Sequence, residues 1–124
     1  MTPRSSSWSS RFVVVVAGDT GILLARPSPV ARLPGFAAGE LSVPDLGAQR
    51  AAGLLDVRPG QRVLDACAAP GGKASHLREL ADIDLLALDH STRRAQRITE
   101  NFERLGLNAG IAIADAADLD AWWD

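Results

Sequence analysis

An α/β fold built around a parallel sheet is predicted by three features of the second half of the chain. Near-continuous apolar runs at residues 62–66, 84–88 and 109–114 alternate with helical segments at 72–81 and 91–105. A Gly71-Gly72 turn leads directly from the first run into a helix. Each run ends on or beside an acid: Asp65, Asp89 and Asp115. Strand, helix, strand, helix, strand with uninterrupted apolar strands describes half of a Rossmann-like sheet, its strands parallel, covered by helices and joined by right-handed crossovers.

Taken in order, residues 1–10 are polar and Ser-rich and are expected to be disordered. The β-branched stretch Phe12 to Val16 reads as a strand ending at a Gly18-Asp19 turn, with Ile22 to Ala25 as its hairpin partner. Pro27, Pro29, Pro34 and Pro44 make residues 27–44 an irregular lead-in. Asp45 can cap a helix running to about Leu55, with Leu46, Ala51, Leu54 and Leu55 near one face, before Pro59-Gly60 turns the chain. The organisation expected is therefore a separate segment at 1–21, a lead-in with its helix at 22–60, and the α/β unit at 61–124. Within that unit Leu77 and Leu80 should face inward from the first helix. Ser91 or Thr92 should cap the second, where Ala95, Ile98, Phe102 and Leu105 recur at helical spacing and Gly106 suits the position just past the end.

Composition narrows the class. At 124 residues and 47% hydrophobic content the chain amounts to at most one domain with ample core-forming residues. The formal charge of −2 hides an asymmetry, with six Arg against four acids up to residue 60 and seven basic residues against eleven acids thereafter. Neither half is a polybasic tract, so charge alone does not point to nucleic acid. One Cys excludes an internal disulfide and a multi-Cys zinc site and fits a reducing cytoplasm. No run is long enough to cross a bilayer. Residues 4–17 faintly imitate an export signal, but the apolar part is too short and lacks a cleavage site.

In an open parallel sheet, ligands lie outside the carboxyl ends of the strands. Asp65, Asp89 and Asp115 are 24 and 26 residues apart, one helix-plus-strand unit each, and should emerge on one rim. Gly71 and Gly72 permit unusual backbone angles and close approach of a ligand, and the helix that follows offers free amides. Asp89, 18 residues after Gly71, sits where an acid accepts hydrogen bonds from ribose hydroxyls in nucleoside-binding folds, and Asp115 is placed to meet the base. Two other phosphate motifs fail. There is no Gly-x-Gly-x-x-Gly, and Gly72-Lys73 has Cys67 and Ala74 where a P-loop needs Gly and Ser or Thr. His76 and His90 lack metal-ligand companions, and Arg93, Arg94, Arg97 and Arg104 read as a solvated helical stripe.

The run Asp65-Ala66-Cys67-Ala68-Ala69-Pro70-Gly71-Gly72-Lys73 resembles the first motif of the Sun/Fmu-type (RsmB/NOP-type) RNA cytosine-5 methyltransferases. So do Leu33-Pro34-Gly35-Phe36, Ser42-Val43 and Asp45 to Gln49 upstream, and Ala87-Leu88-Asp89, Glu100-Asn101, Arg104-Leu105-Gly106-Leu107 and Ala114-Asp115-Ala116 downstream. The resemblance covers about residues 22–124. Pro44 stands where the family has Gln and Ala74 where it has Thr, each removing a polar group.

The resemblance implies a class I methyltransferase fold, Rossmann-like, ending here after its third parallel strand. It implies S-adenosylmethionine as cofactor and small-subunit ribosomal RNA as partner, with no metal and no membrane. Cys67, Ala68, Ala69, Pro70, Gly71, Gly72 and Lys73 would line the methionine and ribose portion, Asp89 would hold the ribose hydroxyls and Asp115 would approach the adenine. Methylation at carbon 5 needs a thiolate to add at carbon 6. By resemblance that thiol, a helper Cys and a fourth strand are expected beyond Trp122-Trp123. Cys67, expected to be buried and inert, is then a cofactor-loop residue, and this chain carries the cofactor-binding half, inactive alone. The alternative is a non-catalytic module that binds S-adenosylmethionine or another nucleotide.

Overall fold

The computed structural model describes residues 14–17 and 21–124. The Ser-rich start and the Gly18-Asp19 turn lie outside the described residues. Strand β1 (Val14–Ala17) pairs antiparallel with β2 (Gly21–Leu24), Val14 opposite Leu24, which makes the expected hairpin. The proline-rich lead-in has no regular structure beyond a 3-10 turn at Val30–Arg32.

Helix α1 (Ala48–Leu55) starts two residues later than a cap at Asp45 implies. Asp45 still serves its entry, because the Asp45 Oδ1 accepts the Ala48 N–H at 2.7 Å. The buried residue of α1 is Ala52, whereas Leu46, Leu54 and Leu55 are exposed, Leu54 by 84%. The expected leucine face is thus corrected: α1 packs against the next helix through small residues, which bring two helices close together.

The α/β unit follows as β3 (Arg62–Asp65), α2 (Gly72–Leu80), β4 (Asp84–Asp89), α3 (Thr92–Leu105) and β5 (Gly110–Ile113). The sheet runs β3-β4-β5, all parallel, with Val63 opposite Leu85 and Ala87 opposite Ile111. Helices α1, α2 and α3 contribute Ala52, Ala74, Leu77, Ile98 and Phe102 to one buried cluster against Leu85 and Ala87. The opposite sheet face is not covered in the same way. Leu64 is 38% exposed and Leu86 half-buried, although Leu88 is sealed. The expectation of a buried β3 is corrected accordingly, since Leu64 lies opposite Leu86 on the less covered sheet face. Leu80, expected to face inward, is also exposed: the buried residues of α2 are Ala74, Ser75 and Leu77, and Leu80 ends the helix.

Caps behave as the sequence suggests. The Ser91 Oγ accepts the Arg94 N–H at 3.4 Å to open α3, and Gly106 closes it in the left-handed region at φ 67°. Ala95, Ile98 and Phe102 are buried, and Leu105 is half-buried. Ile98 has no exposed surface and packs at the centre of the cluster. Ile98→Ala should therefore cost about 2–5 kcal/mol of unfolding free energy, read as a fall in the urea midpoint. Trp122 and Trp123 meet edge-to-face at 5.8 Å, and Trp123 is 71% exposed. No described helix is long and apolar enough to cross a membrane.

Candidate functional site

Parallel pairing fixes where the three acids emerge. Asp65 is the last residue of β3 and Asp89 the last of β4; because Asp65 lies opposite Ala87 and Asp89 opposite Ile113, Asp89 stands two residues farther along the rim. Asp115 follows two residues after β5. All three occupy the carboxyl-end edge of the sheet, but in different surroundings.

Asp89 is only 1% exposed. Its Oδ1 accepts the Ser91 N–H at 3.0 Å, with His90 Nδ1 3.8 Å away. Its Oδ2 lies 3.2 Å from Arg94 Nη2, close enough for an ion pair, yet this oxygen has no aligned hydrogen-bond donor. Arg94 compensates the charge of this buried oxygen, which retains lone-pair capacity for an aligned donor. Asp65 is half-buried, its Oδ1 taking the Cys67 N–H at 3.3 Å. Asp115 is exposed, and its Oδ1 accepts the Ala117 N–H at 2.9 Å in a local turn.

The loop between β3 and α2 is tied to β4 by the Ala68 N–H, which donates to the Leu88 carbonyl at 2.9 Å. Its two glycines do different work. Gly71 is buried at φ 98°, and a Cβ there would lie 3.3 Å from Ile98 Cγ2 and 3.4 Å from Phe102 Cε2, so it serves the turn and the seating of α3. Gly72 is exposed, and a Cβ there would meet nothing within 4 Å. The glycine open to solvent is therefore Gly72, at the start of α2, where helix geometry leaves amides unpaired. Lys73 is exposed beside it, and Ala74 is fully buried in the core.

Cys67 is exposed, which corrects the expectation of a buried thiol. Its Sγ lies 3.8 Å from Arg94 Nη2. The residues do not all share one hollow. An open groove of about 420 Å³ is lined by Asp65, Cys67, Gly72 and Lys73 together with the lead-in at Phe36 and Ser42–Asp45, while Asp89 and Asp115 stand outside it. The loop thus has the groove on its lead-in side and the Asp89 carboxylate on its β4 side.

Two arginines of the expected solvated stripe have fixed partners instead. Arg94 faces Asp89 and Cys67, as described. Arg104 Nη1 donates to the carbonyls of Phe36 at 2.8 Å and Leu41 at 3.0 Å, Nη2 donates to Asn101 Oδ1 at 2.9 Å, and the guanidinium lies 4.1 Å from the Phe36 ring centroid. Burial lowers the Arg104 pKa from the usual arginine value, opposed by the charge of Glu79. Arg104 clamps the lead-in to α3, and so holds one wall of the groove. The periodicity of α3 carried no sign of this, because the partners are backbone carbonyls more than 60 residues away. Among the described residues, no group of His, Cys, Asp and Glu could hold a metal ion.

Residues 52–124 match the family described as 16S rRNA methyltransferase RsmB/F. A ribosomal RNA small subunit methyltransferase B of Pseudomonas syringae pv. tomato is 53% identical over 106 residues, covering 84% of this chain and 24% of the relative. Among solved structures, PH0851 superposes with a TM-score of 0.80 at 28% identity, covering 86% of this chain and 25% of that one. NSun6 from Pyrococcus horikoshii, solved with SFG, gives 0.72 at 28% identity, covering 82% and 28%. The chain spans about a quarter of the length of the curated relatives it matches.

Proposed function

This chain belongs to the RsmB/F family of 16S rRNA methyltransferases, and from that membership we propose that it carries the S-adenosylmethionine-binding part of an enzyme that methylates carbon 5 of cytosine in small-subunit ribosomal RNA, in the cytoplasm. The observation that carries the proposal is the buried Asp89 carboxylate, charge-paired with Arg94 but with no aligned hydrogen-bond donor on Oδ2, at a strand end beside a glycine turn. The diol of a ribose supplies two O–H donors, which suits an acidic acceptor at this rim. NSun6 of Pyrococcus horikoshii was solved with SFG, an S-adenosylmethionine analogue, which supports the same assignment.

In this reading Asp89 accepts from the ribose hydroxyls, and Cys67 to Lys73 line the ribose and methionine portion. The free amides opening α2 and the Lys73 ammonium face the methionine carboxylate. Asp115 lies near the adenine. S-adenosylmethionine supplies a sulfonium-activated methyl group; the protein binds it, orients it and keeps the carboxylate and amide contacts in place. Cys67, the one cysteine of the sequence, belongs to the cofactor loop, so the attacking thiol is assigned elsewhere. The 124-residue chain should bind cofactor without transferring methyl to RNA.

Isothermal titration of S-adenosylmethionine into the purified chain tests the proposal. Saturable 1:1 binding, tighter than that of ATP, is expected; equal or stronger binding of ATP would favour an unrelated nucleotide module. Asp115→Ala should weaken binding by only about three- to tenfold, because an exposed acceptor trades one hydrogen bond with water for another.

A further inference from the structure

Helix α3 opens with cations where a helix dipole favours acids. Its first turn contains no acidic residue and includes Arg93 and Arg94. A positive charge at this end of a helix is unfavourable by a few tenths of a kcal/mol to about 1 kcal/mol, so the helix gains nothing from Arg94 being there. The Arg94 backbone is fixed, since its N–H points to Ser91 O at 3.0 Å and Ser91 Oγ at 3.4 Å. From that anchor the guanidinium turns back across the rim. One nitrogen, Nη2, lies 3.2 Å from Asp89 Oδ2 and 3.8 Å from Cys67 Sγ.

We infer that Arg94 is a positioning residue of the cofactor site, holding the Asp89 carboxylate and the Cys67 end of the loop in one arrangement so that both meet the same nucleoside. The inference rests on the reading given under Proposed function and adds a residue to it. Asp89 comes from β4 and Cys67 from the loop after β3, and beyond the β3–β4 ladder the Ala68-to-Leu88 backbone bond ties the loop to β4. A guanidinium is a rigid, delocalised fork with five N–H donors, able to serve two acceptors at once and still present nitrogens to a ligand. The Arg94 side chain is 45% exposed, so part of the fork remains accessible from solvent. Lysine could bring one charged nitrogen to the same two groups but has no further nitrogens of a planar fork to offer a ligand.

The test uses the full chain and two readouts. The first is a double-mutant cycle on S-adenosylmethionine affinity by calorimetry, with Arg94→Gln, Asp89→Asn and the pair. Arg94→Gln should weaken binding by about tenfold or more, Arg94→Lys by less, and the Gln change should have little further effect once Asp89 is Asn. Thermal unfolding of each variant identifies any loss of fold. The second readout needs no cofactor. Cys67 is alkylated with iodoacetate and with iodoacetamide, and the ratio of the two rates reports the charge beside the sulfur, because both reagents meet the same thiolate. That ratio should fall about threefold in Arg94→Gln and recover in Arg94→Lys at most in part.

An unchanged ratio overturns the inference whether or not cofactor binds. So do additive losses in the cycle, or an Arg94→Gln variant that binds as well as the parent. A parent chain that takes up no S-adenosylmethionine overturns the functional reading, and the inference with it.

Discussion

Asp89→Asn should lower the affinity for S-adenosylmethionine by at least about 100-fold, since two hydrogen bonds from hydroxyls to a charged acceptor contribute about 1.5–3 kcal/mol each. The substitution keeps side-chain volume. It also keeps an oxygen able to accept the Ser91 N–H, which in the native chain reaches Oδ1 at 3.0 Å. What changes is the other position, where an acceptor becomes an NH₂ donor facing both the ligand hydroxyls and Arg94. The effect should therefore appear in binding far more than in folding. Calorimetry together with a urea unfolding curve separates the two, and an Asn variant that binds within threefold of the parent would show that this carboxylate does not hold the ribose.

Gly39→Ala should be the most damaging change outside the core, costing about 3 kcal/mol or more through strain and overlap together. Gly39 adopts φ 74°, and a Cβ there would overlap the Arg104 carbonyl oxygen and lie 3.1 Å from Leu105 Cα. The obstacle is backbone, which has no rotamer by which to move aside. Gly60 provides the control: it adopts φ 82°, but a Cβ there would meet nothing within 4 Å, so Gly60→Ala should cost only the backbone part, about 1 kcal/mol. The Gly39 variant should also release the lead-in from α3, which should speed trypsin cleavage after the surface residue Arg32. Because the lead-in walls the groove beside Cys67 and Lys73, cofactor affinity should fall with it.

The alternation of strand and helix was legible because each element announces itself locally. Apolar runs mark β4 and β5, Ser91 and Gly106 bracket α3, and the spacing of Ala95, Ile98 and Phe102 gives its buried face. The shared rim of Asp65, Asp89 and Asp115 followed from the same regularity, since parallel strands repeat their direction. Leu54, Leu55 and Leu80 were misread because hydrophobicity alone does not say which side of a helix a neighbour occupies; Ala52, the smaller residue, holds the contact. Cys67 is exposed although its surroundings in sequence are apolar, because the loop turns outward after Asp65. Arg94 and Arg104 looked like solvated charges, and their roles depend on partners set by tertiary structure. Only Arg94 left a trace in the sequence, as a cation in the first turn of a helix.

Protection of Cys67 tests most directly whether the β3–α2 loop and the Asp89 rim hold S-adenosylmethionine together. The exposed thiol should react readily with iodoacetamide in the free chain, and saturating S-adenosylmethionine should slow that reaction by at least about tenfold, the unprotected fraction following 1/(1 + [L]/Kd). The Asp89→Asn chain should show no slowing at the same concentration. An alkylation rate in the parent chain that is indifferent to cofactor bound by calorimetry would place the ligand elsewhere on the molecule and contradict the site.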